Sequence, residues 1–238
     1  GYLSSARRVA EEARLSAAGL DHANTTGHLL CHGSGERAQL AGDVTVMLCH
    51  ARALLDLAAE HMMPMWRGYA LVLLGVSAAE EGKLGEGSHL VRSGIKELDA
   101  LGTRFRRVHH LSLLARIEAR LGDVGAGLAL LREAGAEMAK TEVRLFEAEI
   151  RRAEGDLHLM AGRSMEAEGY YAAAIQVARA QEAHSFELRA AAALARLLHE
   201  RGMSSDAHKV LAQAYEAFPD PDLSPDVVAA ADLLAEMG

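Results

Sequence analysis

The chain has 238 residues, a formal net charge of -8 and only two cysteines; half of its residues are apolar and 4% are aromatic. An acidic balance argues against a general affinity for nucleic acid or an anionic membrane, which needs concentrated basic charge. Cys31 and Cys49 are too few for a disulfide framework and suit a reduced, cytoplasmic setting, and no apolar run approaches the ~20 residues that span a bilayer.

Alanine and leucine dominate, and both enter helices at little cost. The aromatic and β-branched residues that a large sheet needs are sparse. Taken from the start, the pattern predicts a helix over 3–18. Its amphipathic run carries Arg7, Arg8, Glu11, Glu12 and Arg14 and is no signal peptide. Five helical hairpins follow, with first helices expected near 23–41, 64–81, 104–121, 143–161 and 184–201. Their second helices are expected near 43–61, 84–101, 124–139, 164–181 and 204–217. Of the four prolines, Pro64 opens one of these helices and Pro219, Pro221 and Pro225 cluster near the end. A last helix near 225–236 opens on Ser224-Pro225, an N-cap and first-turn pair. The chain begins without Met on helical sequence, which reads as a piece of something longer.

The hairpins repeat with a period of forty. Gly42, Gly82, Gly122, Gly162 and Gly202 each follow a helical stretch and precede another, where glycine suits a left-handed helix C-cap. Seven residues earlier the column is small: Gly35, Gly75, Ala115, Gly155 and Ala195. Five residues after each glycine stand Met47, Gly87, Gly127, Ala167 and Ala207. Nine after, the column is apolar: Ala51, Val91, Leu131, Tyr171 and Leu211. Sixteen after stand Ala58, Leu98, Met138, Ala178 and Phe218. Small residues let two helices approach, and larger ones fill the space beside them.

This layout resembles the tetratricopeptide repeat (TPR), with a small residue in the first helix, a glycine at the turn seven residues later and a small residue five beyond. The usual TPR period is about 34 residues. The extra six lengthen the helices or their connection, and the family's aromatic positions are mostly missing, with Trp66 and Tyr171 among the few candidates. The resemblance implies an all-α fold of about twelve helices, a right-handed α-α superhelix or TPR-like solenoid. It would be one domain over 1–238: a partial repeat at 1–20, hairpins at about 23–61, 64–101, 104–140, 143–181 and 184–218, and a capping helix at 225–236 that closes the stack.

The segment from Tyr170 to Leu198 is more specific. Its Phe186-Glu187-Leu188-Arg189-Ala190-Ala191 resembles a stretch in the C-terminal repeat region of large bacterial signalling proteins. Those proteins join a class III adenylate or guanylate cyclase domain to a predicted ATPase domain. Phe146-Glu147-Ala148-Glu149 with Gly155-Asp156, and Leu211 to Tyr215 before a Pro/Asp-rich turn, are similar to the same family. The resemblance implies a regulatory arm that receives a partner or holds a sister domain. Related repeats in ATPase-type transcriptional regulators leave open an alternative, a repeat domain that senses a small ligand.

No catalytic motif stands out. Gly82-Lys83-Leu84-Gly85-Glu86-Gly87 sits at a repeat turn and lacks the Gly-Lys-Ser/Thr of a phosphate loop. His28, Cys31 and His32 share a helix face, with Cys49 and His50 the nearest further ligands, but paired zinc spacing is missing, so no metal and no cofactor is expected. Glu187 and Arg189, two apart on a helix, point to different faces.

In TPR proteins the first helices line the concave surface. Carried over by register, the expected groove holds Tyr69, His109, Arg116, Arg120, Glu149, Arg152, Arg189, Arg196 and His199, with His32, Glu36, Val72, Val76, Glu80, Ser112, Asp156 and Glu200 beside them. Its arginine forks suit carboxylates on an incoming peptide. The sequence therefore points to a protein-interaction module rather than an enzyme. Its expected partner is a protein, a peptide or a sister domain, with a possible homodimer through the terminal helices.

Overall fold

Each hairpin turns on its glycine. In the computed structural model, which describes residues 2–219 and 224–237, Gly42, Gly82, Gly122, Gly162 and Gly202 have φ between 74° and 97°. At each, the glycine N–H bonds three residues back and the next N–H bonds five back, as in Gly82 N to Ala79 O (3.1 Å) and Lys83 N to Ala78 O (2.9 Å). This Schellman pair satisfies carbonyls that the helix end would otherwise orphan.

Among the described residues there are twelve helices and no strand. α1 is Leu3–Ala17. α2 is composite: Ala23–His28, a π-helical Leu29–Gly35, then Glu36–Ala41. α3 is Val44–Glu60, α4 Pro64–Glu80, α5 Leu84–Ala100 and α6 Arg107–Arg120. α7 is Val124–Thr141, α8 Glu147–Met160, α9 Ser164–Ala180, α10 His184–Glu200, α11 Ser204–Glu216 and α12 Pro225–Met237. The helices form two compact units, Ser4–Asp123 and Val124–Gly238 with Gly1–Leu3. Ser224 caps α12, its hydroxyl accepting from the Val227 N–H at 3.3 Å. The Pro/Asp-rich stretch at 220–223 lies outside the described residues.

α6 and α8 start three to four residues later than the pattern predicts. In both, a turn precedes the helix, closed by Arg107 N to Arg104 O and by Glu147 N to Arg144 O at 3.0 Å each. The turn leaves Phe105 and Leu145 exposed and tucks Phe146 inside. A forty-residue step separates the two turns, so they are one feature used twice.

The sequence columns are the hairpin core. The turn glycines are exposed; in the four columns that flank them every member is buried except Phe218, which is half-buried. In two hairpins the small residue seven before the glycine packs on the residue nine after it. A Cβ at Gly75 would lie 2.7 Å from Val91 Cγ2, and one at Gly155 would lie 2.5 Å from the Tyr171 ring. α4 and α5 are closest of all: a Cβ at Gly87 would meet Gly75 O at 2.7 Å, and one at Gly94 would meet Gly68 O at 2.6 Å. Backbone lies on backbone there, and no side chain fits between.

A second left-handed column joins successive hairpins: Met62 (φ 50°), Gly102 (72°), Glu142 (58°) and Glu182 (52°). Only one of the four is glycine, and a left-handed L-residue costs about 1–2 kcal/mol. Glu182→Gly should therefore raise stability by about 0.5–1 kcal/mol once glycine's own entropy is counted. Gly94→Ala should lower it by about 1–3 kcal/mol through overpacking. Urea denaturation of the two variants checks both signs.

Candidate functional site

In the Ser4–Asp123 unit the first helices meet through polar and aromatic side chains. The π-helical turn of α2 ends with Glu36 N–H bonded to Cys31 O, five residues back. That spacing stacks residues five apart, whereas an α-turn stacks residues three and four apart. Glu36 consequently lies near both Cys31 and His32. His32 Nδ1 donates to Glu36 Oε2 at 2.9 Å, and an Arg106 Nη contacts the same oxygen at 2.9 Å. The nearest ligand atoms of Cys31, His32 and Glu36 all fall within 4.8 Å of one another.

Rings extend from this cluster. Trp66 stacks near His28 and His32 (centroids 4.7 and 5.7 Å), Tyr69 near His32 (5.3 Å), and His110 near Tyr69 (5.6 Å). Trp66 Nε1 donates to Asn24 Oδ1 at 2.8 Å, and a Cβ at Gly27 would strike the Trp66 ring at 2.6 Å, so glycine there makes its slot. His109 Nε2 donates to Gln39 Oε1 at 3.0 Å. Burial, then the neighbouring Cys31 and Glu36, pushes the Tyr69 phenol up to about 12. Burial also pushes the Cys31 thiol well above its ordinary value. The pocket bounded by Glu36, Tyr69, His109 and His110 has room for about one water. A small-molecule site needs roughly 300–1,000 Å³.

In the Val124–Gly238 unit, α8 and α10 carry a network of charges. Arg152 forks onto Glu149 with two 3.0 Å bonds and reaches Asp156 at 2.8 Å. Tyr171 donates its hydroxyl to Asp156 at 2.9 Å. Arg189 pairs with Asp226 of α12 at 2.6 Å and approaches Glu149 at 3.9 Å. Burial alone would weaken the charge on Arg152, but Glu149 and Asp156 more than offset it and hold the guanidinium charged. Burial, with Asp156 adding to it, raises the Tyr171 phenol.

The expected groove residues thus divide by environment. Tyr69, His109 and Glu149 are buried. Arg152 and Arg189 are half-buried, their forks turned onto carboxylates of the chain itself. Arg120 is exposed and bonds Glu80 and the Ala79 carbonyl, both at 2.9 Å. Arg116, Arg196 and His199 are exposed, His199 Nδ1 lying 3.0 Å from Ser204 Oγ. Glu187 and Arg189 do diverge, Glu187 to Arg179 of α9 and Arg189 to α12. Cys49 is exposed.

One column was missed in the sequence. Trp66, Phe146 and Phe186 recur at forty, and the Phe146 and Phe186 centroids lie 6.2 Å apart. Arg106 interrupts the series, which hid it, and that arginine is the one that reaches Glu36.

Comparison with solved structures identifies the architecture. A putative kinesin light chain from Podosopora anserina with nearly identical TPR-like repeats matches 82% of this chain and 93% of its own, at TM-score 0.54 and 18% identity. The fold is TPR-like. BtubC (BKLC) from P. vanneervenii matches 93% of this chain and 94% of its own, at TM-score 0.61 and 17% identity. The Rap conjugation gene regulator of the plasmid pLS20, solved in complex with the Phr* peptide, matches 99% of this chain and 68% of its own, at TM-score 0.65 and 14% identity. No protein-family model and no curated protein sequence matches the chain. No helix among the described residues is long and apolar enough to cross a membrane.

His110 gives this TPR-like chain a pH dependence. Burial, then His109, drives its imidazole down to about 3; Arg106 and His32 push the same way and Glu36 opposes. The unfolded chain takes up this proton below about 6.5 while the folded chain refuses it, so stability falls as pH falls between those values. His110→Leu should flatten that fall by up to about 1.4 kcal/mol per pH unit, read from urea midpoints at pH 7 and pH 5.

Proposed function

We propose that the chain is a protein-interaction and regulatory repeat module, working in the cytoplasm by binding rather than catalysis. A peptide or protein segment docks on the first-helix face of the Val124–Gly238 unit, beside Arg196 and His199. The observation that carries this reading is the division of charge on that face. Arg152 is tied into ion pairs within α8 and Arg189 into one that joins α10 to α12, while Arg196 stands exposed outside them. A guanidinium presented on a rigid helix suits a carboxylate of an incoming segment. A Rap neighbour of the same fold, solved with a peptide, lends support.

The segment around Phe186 to Ala191 supports a further step: the module is the C-terminal arm of a larger bacterial signalling protein of the cyclase/ATPase type, and its partner is a regulatory protein or a sister domain. The whole of 1–238 acts as one repeat domain in this reading. The terminal helices also bring copies together. Val9 and Leu15 of α1 are 54% and 61% exposed, apolar surface that a second copy would cover.

Panning a random peptide display library against the immobilised chain tests the docking face. Enriched peptides should be acidic, and calorimetry should show about tenfold weaker binding to Arg196→Glu, with no change for Arg8→Glu on α1. Enrichment of neutral peptides indifferent to Arg196→Glu would refute the assignment. Light scattering across concentrations should give a dimer or larger mass, and a strictly monomeric mass would refute self-association.

A further inference from the structure

The composite helix α2 holds a group of side chains that the docking face does not use. Cys31, His32 and Glu36 offer one thiol sulfur, one imidazole nitrogen and one carboxylate oxygen, all within 4.8 Å of one another. The group exists because of the π-helical turn: its five-residue bond sets Glu36 over Cys31, and the ordinary four-residue spacing sets it beside His32. π-turns of this kind occur frequently at functional sites. Cys31 is a free thiol, 1% exposed, so the sulfur is shielded from bulk solvent and from oxidants. The side chain of His32 is 24% exposed and leaves a path inward.

We propose that Cys31, His32 and Glu36 form a binding site for a borderline-soft divalent cation of the zinc class. Thiolate, imidazole and carboxylate are its ligand set, at about 2.0–2.3 Å each in a tetrahedral site. One ligand atom from each side chain lies within 4.8 Å of the others, so modest side-chain shifts close the set. The His32 and Arg106 contacts both fall on Glu36 Oε2, which leaves Oε1 to the cation and Arg106 as the outer partner that fixes the carboxylate's orientation. Three protein ligands leave the fourth position to water. Binding breaks the Cys31 S–H bond and forms a sulfur–metal bond, and the thiol proton leaves to solvent, so affinity rises with pH; the neutral imidazole binds through the ring nitrogen that carries no proton and keeps its other N–H. His28, held edge-on against Trp66, stays outside the set. The site lies in the Ser4–Asp123 unit and stands independently of the peptide reading.

Cobalt(II) titrated into the chelator-treated full chain is the test. The expected result is one Co2+ per chain, with a thiolate-to-cobalt charge-transfer band in the ultraviolet and the intense visible bands of tetrahedral cobalt. Zinc should displace it and raise the melting temperature. Cys31→Ser should abolish the charge-transfer band, while His32→Ala and Glu36→Gln weaken binding by about 10-fold or more. Cys49→Ser and His28→Ala should leave spectrum and affinity unchanged. Circular dichroism confirms that each variant is folded. If Cys31→Ser does not fold, the other four variants decide. No charge-transfer band in the wild type, a band that survives Cys31→Ser, or one lost in Cys49→Ser overturns the assignment.

Discussion

Close approach of two antiparallel helices is the constraint on which the hairpins depend. Seven residues before each turn the chain carries glycine or alanine, and nine after it an apolar residue of varying bulk. Where glycine faces Val91 or Tyr171, the larger side chain occupies the volume that a Cβ would take. The turn glycine has a different duty. Its left-handed backbone ends the first helix and, at Gly82 and Gly162, reverses the chain so that Gly75 meets Val91 and Gly155 meets Tyr171. Together they fix the register of a hairpin with few aromatic residues, because contact between backbones replaces the area that large rings would bury.

Much of this was legible because it is periodic. A column that repeats at forty in five places can be read without coordinates, and the burial of those columns follows from it. The late starts of α6 and α8 were not legible. Arg104 and Arg144 carry no turn signal of their own, and only the inward swing of Phe146 shows why the helix waits. The column of Trp66, Phe146 and Phe186 was present in the sequence but broken by Arg106, which belongs to a polar cluster instead of an aromatic one.

The candidate sites show the same division. Glu149, Arg152 and Asp156 stand three and four residues apart, the spacing at which helical side chains meet. That they satisfy one another follows from the sequence once they are taken as a set. Which arginines remain available depends on tertiary partners: Arg189 is taken up by Asp226, thirty-seven residues away. Cys31 and Glu36 are harder still. Five residues apart, they belong on different faces of an α-helix, and no composition rule signals that α2 changes its winding at Leu29. A motif search built on α-helical spacing pairs His28 with Cys31 and His32, and His32 with Glu36, but not Cys31 with Glu36, the pair that the π-turn brings together.

The length of the helices has a consequence for recognition. α3, α4, α5, α9 and α10 each run 17 residues, about 25 Å at the usual rise. A period of forty instead of about 34 gives each helix of a pair some three more residues, or about 4.5 Å. An extended peptide advances about 3.3 Å per residue. A segment laid along one such helix would therefore meet about one more of its own side chains than on a helix three residues shorter.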